Sequence, residues 1–127
     1  MTEIKNSKRY DLEERTLKFA KDVIEFVSTP PKTMANIEIA KQIIRSSGSV
    51  GANYIEANEA LSKKDFTMRV KICRKEAKES KYWLRFIEVK GEDREGVRQS
   101  LINEATELMK IFGSIVEKAK SVLIFEF

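Results

Sequence analysis

Apolar residues recur every three or four positions along most of this chain, the spacing of amphipathic helices. From Asp11 to Ser28, one face collects Leu12, Thr16, Phe19, Ala20, Val23, Ile24 and Val27. Asp11 and Glu14 have the spacing of a capping box, and Pro30-Pro31 stops the run, because proline disfavours helix in the residue before it. A second helix is expected from Met34 to Leu61, with Thr33 as N-cap and Ala40, Ile43, Ser47, Val50, Gly51, Tyr54, Asn58 and Leu61 in register. A third is expected over residues 63–90, opened by Ser62 and Asp65 and closed by Gly91 as C-cap. Its core set is Phe66, Val70, Cys73, Ala77, Ser80 and Leu84. A fourth, over residues 94–120, aligns Val97, Leu101, Ala105, Leu108, Phe112, Ile115 and Ala119. The apolar tail SVLIFEF either extends that helix or docks as an extended arm. Four long helices with short loops predict an all-α fold, an antiparallel up-down-up-down four-helix bundle forming a single domain over residues 1–127.

One stretch resists this reading at first. RSSGSVGANYIEA, residues 45–57, has the composition of a loop. The apolar series nevertheless passes through it without losing phase, which a loop would not allow. Glycine inside a helix costs about 1 kcal/mol relative to alanine, so two of them require a compensating gain. Ser47 and Gly51, with Gly48 and Ala52 beside them, form a strip of small side chains where another helix can approach closely, with Phe66, Trp83 and Phe112 as candidate large partners. The rival is a phosphate loop, but GSVGANY lacks the Gly-Lys-Ser/Thr ending that places a lysine on phosphate. Arg45, Ser49, Asn53 and Glu56 fall on the opposite side, as a solvated face or as a polar contact with another subunit.

Composition narrows the chemistry. The chain of 127 residues has no histidine and a single cysteine. Histidine-dependent nucleophiles, the Glu-x-x-His pairs of di-iron bundles and ordinary zinc sites are therefore excluded. Cys73 forms no internal disulfide and is expected to be a small core residue in a reducing compartment. The first residues, MTEIKNSKRYDLEER, lack the apolar core of a signal peptide, and no apolar run reaches the roughly 20 residues of a membrane span. The expectation is a cytoplasmic protein without membrane contact, without cofactor or metal, and not an enzyme.

Charge is unevenly spread. Residues 63–90 hold ten basic and four acidic side chains, net +6, against +4 for the whole chain. At about 100° per residue, Lys71, Arg74, Lys75, Lys78, Lys81 and Arg85 fall within an arc of about 120°, largely apart from the core set. Such a stripe can neutralise phosphates and release their counterions. As a rival, it is a solvated face that keeps the protein soluble. The same helix has a second apolar arc, Met68, Ile72, Trp83 and Phe86, which reads as an oligomer interface or as a wide core contact.

Several blocks resemble a known family. RSSGSVGANYIEANEALSKKDF and KICRKEAKESKYWLRFIE resemble the four-helix-bundle proteins related to the 23S rRNA intervening-sequence family. These are bacterial proteins, some encoded inside insertions in large-subunit rRNA genes. The most specific matches are Arg45-Ser46, Asn53-Tyr54-x-Glu56-Ala57, Lys75-Glu76-Ala77, Glu79-Ser80 and Tyr82-Trp83-Leu84, and the likeness runs from about residue 12 to 124. It implies an antiparallel bundle and a homo-oligomer, with a ring-shaped homopentamer favoured. Similar bundles serve diversity-generating retroelements, where a basic surface is thought to engage nucleic acid and reverse transcriptase. No enzymatic activity is established for the family, so no catalytic residue carries over. Residues and resemblance together point to a non-catalytic, self-assembling bundle that binds structured RNA or DNA. The rival is a protein-interaction scaffold that binds no nucleic acid.

Overall fold

The structure is a computed structural model that describes the backbone of residues 2–125 and the side chains of residues 11–120. It consists of α1 (Thr2–Val27), α2 (Met34–Asn58), α3 (Lys63–Phe86) and α4 (Glu92–Phe125), with no strand among the described residues. The helices pack in a cycle, α1 on α2, α2 on α3, α3 on α4 and α4 on α1. The interior combines Phe19, Val23 and Phe26 with Ile43, Val50 and Tyr54, then Val70, Cys73 and Leu84, then Leu101, Leu108 and Phe112. Each such side chain contributes roughly 1.5–3 kcal/mol by leaving water. The Tyr54 and Phe112 rings meet at 5.7 Å and 52° across the centre. Burial pushes the Cys73 thiol up to about 12, as expected for an inert core residue.

Helix ends depart from the sequence reading, and each departure has a local cause. Asp11 is not an N-cap, because α1 already runs through it from Thr2. α2 ends at Asn58, since Ser62 must be extended (φ −142°, ψ 158°) to accept the Asp65 amide at 3.1 Å, and the chain needs room to turn. Leu61, expected in the core, is therefore 99% exposed. Ile24, also expected inside, is 56% exposed, whereas Phe26 takes an interior place. α3 stops at Phe86, four residues early, and the next residue, Ile87, turns extended and is buried. Arg98 of α4 donates to the carbonyls of Leu84 (3.5 Å), Arg85 (3.1 Å) and Ile87 (3.5 Å), groups that would otherwise lack partners. Gly91 is consequently not the C-cap of α3. It sits at φ +90° ahead of α4, and its carbonyl accepts the Glu95 amide at 3.1 Å. The apolar tail continues α4 as far as Phe125, while its side chains lie outside the described ones.

Two loops are tied together by one buried side chain. Asn36, at the start of α2, donates to the carbonyls of Pro31 (2.9 Å) and Glu88 (3.0 Å) and accepts the Glu88 amide (3.2 Å). Thr33 caps the same helix by accepting the Asn36 amide at 3.1 Å.

The small residues of α2 divide into two kinds. A Cβ on Gly51 would lie 2.9 Å from Thr16 Oγ1 and 3.2 Å from Thr16 Cβ, so α1 and α2 approach closely there. The facing residue is this threonine, whose hydroxyl donates to the carbonyls of Leu12 and Glu13, and not an aromatic. Gly48 has nothing within 4 Å of such a Cβ, and both it and Ala52 are exposed. The expected packing strip thus holds at Ser47 and Gly51 and fails at its other two members.

Candidate nucleic-acid interface

α3 positions the basic stripe. Ser62 starts the helix, Thr67 bonds back to the Lys63 carbonyl at 2.8 Å, and the apolar series from Val70 to Leu84 faces inward. The opposite face is thereby turned to solvent. Lys71, Arg74, Lys75, Lys78 and Arg85 are exposed, and Lys81 is half-buried. The Arg74 guanidinium lies along α4, 3.7 Å from where a Cβ on Gly113 would be.

None of these six side chains makes an ion pair with a described residue. Some cations elsewhere are engaged, while Lys21, Lys32, Lys64, Lys90 and Lys118, scattered over the molecule, also make no ion pair with a described residue. Arg15 holds Glu104 at 2.7 and 2.8 Å, and this hydrogen-bonded carboxylate raises the Arg15 pKa. Lys18 holds Asp22, Lys41 holds Glu38, and Arg98 holds Glu95. Positive charge on the outside of α3 is left without a local counterpart.

The second apolar arc is split. Met68 and Phe86 are each 55% exposed, whereas Ile72 and Trp83 are half-buried. Tyr82, absent from the sequence-based site, is equally exposed. Its ring lies 5.0 Å from Trp83 and 5.8 Å from Phe86, and Trp83 and Phe86 are themselves 5.8 Å apart. The three rings form one cluster at the C-terminal end of the stripe. The i, i+4 spacing of Tyr82 and Phe86 was the available signal for it.

The polar side of α2 is neither free nor simply solvated. Arg45 pairs with Glu79 on α3 and lies 3.4 Å from Glu76. Asn53 bonds Ser49 and accepts from Arg69 at 3.1 Å. Beneath, Ser80 donates to Ser46 at 2.8 Å in a fully buried pair. These are the contacts that hold α2 against α3. Glu76 Oε2, the atom that faces Arg45 at 3.4 Å, and Trp83 Nε1 are buried without a hydrogen-bond partner among the described residues.

A different face is bare. Ile37, Ile44 and Ile55 of α2 are between 43% and 51% exposed and share one side with Gly48. Glu13 reaches Asn58 of α2, and Leu17 and Ile24 follow it on the same side of α1, both exposed. Among the described residues no group of three or more His, Cys, Asp or Glu could hold a metal ion, and no helix is long and apolar enough to cross a membrane.

Comparison with known proteins places the chain. No curated protein matches it. A crystal structure of a protein of unknown function from the S23 ribosomal protein family of Bacteroides thetaiotaomicron VPI-5482 is similar, with 32% identity and a TM-score of 0.71 over 82% of this chain and 96% of that one. The family model described as 23S rRNA-intervening sequence protein matches residues 8–114, and the long interrupted-looking α2, the α2–α3 polar seam and the Tyr82, Trp83 and Phe86 cluster all lie inside that span. The chain belongs to the 23S rRNA-intervening sequence protein family.

Proposed function

We propose that this protein is a non-catalytic, self-associating bundle that binds RNA or DNA through the outer face of α3. The single observation behind this is the alignment of six cations, Lys71, Arg74, Lys75, Lys78, Lys81 and Arg85, on one face of one helix with no ion pair to a described residue. Helices in this reading run up-down-up-down and antiparallel, supported by the short loops and by Asn36 joining the 28–33 and 87–91 segments. Self-association is supported by the bare α1–α2 face, with five copies as the expected number. The arc Met68, Ile72, Trp83 and Phe86 is the competing subunit contact. A cytoplasmic location is part of the same proposal.

The test is binding to an RNA that contains both duplex and single-stranded segments, measured across salt concentrations. Affinity falls with a log–log slope of about −0.7 to −0.9 per phosphate neutralised. The variant carrying Lys71→Glu, Lys78→Glu and Arg85→Glu loses binding while its helicity and mass match the parent. Equal binding by parent and variant would refute the stripe and favour a scaffold that binds protein alone.

A further inference from the structure

The structure assigns a second component to the α3 face: Tyr82 and Phe86 form a stacking platform for the unpaired bases of a single-stranded polynucleotide. This rests on the reading of α3 as a phosphate-binding face, and it names the form of nucleic acid that face prefers.

Lys71, Lys75, Lys78, Tyr82 and Phe86 follow one another at intervals of four, three, four and four residues, so they form one row along the helix. The row is about 22 Å long at about 1.5 Å per residue. Three unpaired ammonium groups lead directly into two rings, each with 55% of its residue surface in water. Trp83 sits beside both rings at 5.0 and 5.8 Å in edge-on contacts and fixes their positions from the bundle side. Two preset ring faces next to a line of cations match what a single strand offers, bases with free faces joined by regularly spaced phosphates. In a duplex the bases are stacked on one another and offer no face. A protein partner fits less well, because lysine is depleted from the centre of protein interfaces whereas this row is mostly lysine. Stacking tolerates any base, so the platform implies preference for single strands without preference for sequence.

The test uses fluorescence anisotropy with labelled uridine and thymidine homopolymers of about 20 nucleotides, beside a duplex of equal length. The parent binds the single strands more tightly than the duplex. Tyr82→Ala and Phe86→Ala each weaken single-strand binding between about 5-fold and 150-fold and leave duplex binding unchanged. Tyr82→Phe retains parental affinity because the ring is kept. Comparable binding of both homopolymers supports stacking on either backbone, and binding of one alone overturns a sequence- and sugar-independent platform. Parental single-strand affinity in both alanine variants, with binding lost in the Lys71→Glu, Lys78→Glu, Arg85→Glu variant, overturns the platform and leaves the phosphate face standing. No binding by the parent overturns both. A changed oligomer mass in Tyr82→Ala or Phe86→Ala overturns the platform by making the rings a subunit contact.

Discussion

At the scale of single residues, two glycines one turn apart in α2 do different things. Gly51→Leu forces α1 away from α2, because Thr16 already sits where a Cβ would go. Overpacking of this kind costs about 1–3 kcal/mol, visible as a lower midpoint in urea. Gly48→Ala meets nothing within the subunit and gains about 1 kcal/mol of helix propensity. A Gly48→Ala protein with parental or lower stability would mean that something packs on Gly48. Cys73 gives a pH prediction. Its raised pKa, about 12, means that the folded state keeps its proton after the unfolded thiol has ionised. The contribution is complete below the unfolded pKa near 9.0 and is lost as pH rises toward 12. Relative to Cys73→Ala, the parent should lose at most about 1.4 kcal/mol of unfolding free energy per pH unit in that window.

At the scale of elements, α3 is terminated from outside itself. Arg98 bonds three carbonyls at its end and is held in place by Glu95 at 2.6 and 3.1 Å. Arg98→Met keeps most of the side-chain volume and removes the donors. It should destabilise the protein by about 1.5–3 kcal/mol, with hydrogen-exchange protection lost first around residues 83–87. The same contact explains what the sequence could not disclose. Local pattern carried the helical series through Lys90, because nothing within four residues of Phe86 signals a stop. The terminating group comes from another helix. The inward faces were legible, since burial on α3 and α4 follows the 3.6-residue period closely, with Val70, Cys73, Ala77, Ser80 and Leu84 all inside. Buried Thr67 and Glu76 were missed because both are polar, and their burial depends on neighbours contributed by other elements. The six cations were legible as a stripe, but their lack of carboxylate partners needed the positions of the surrounding helices. Arg45 and Asn53 show the reverse: from sequence they read as a solvated face or a contact with another subunit, and they turn out to be pinned to α3 of their own subunit.

At the scale of the whole molecule, the faces divide the work proposed for it. The α1–α2 side is apolar and bare, and the α3 side is cationic. Ile44→Asp places a charge in the middle of the apolar face without touching the core, since Ile44 is 43% exposed. Light scattering coupled to size exclusion should give a multiple of the subunit mass for the parent and a smaller species for this variant. An assembled Ile44→Asp protein beside a dissociated Met68→Asp one would move the contact to α3. The cationic face also acts on the bundle itself. Lys71 and Lys75, Arg74 and Lys78, and Lys81 and Arg85 are like charges one turn apart, and each such pair opposes the helix by about 0.2–0.5 kcal/mol. Added salt screens that repulsion, so on this helix it favours the empty protein, while it would weaken the proposed grip on a polyanion. The two expected responses have opposite sign and one origin: like charges crowd this helix when it is alone, and under the proposed function a strand of phosphates would relieve that crowding.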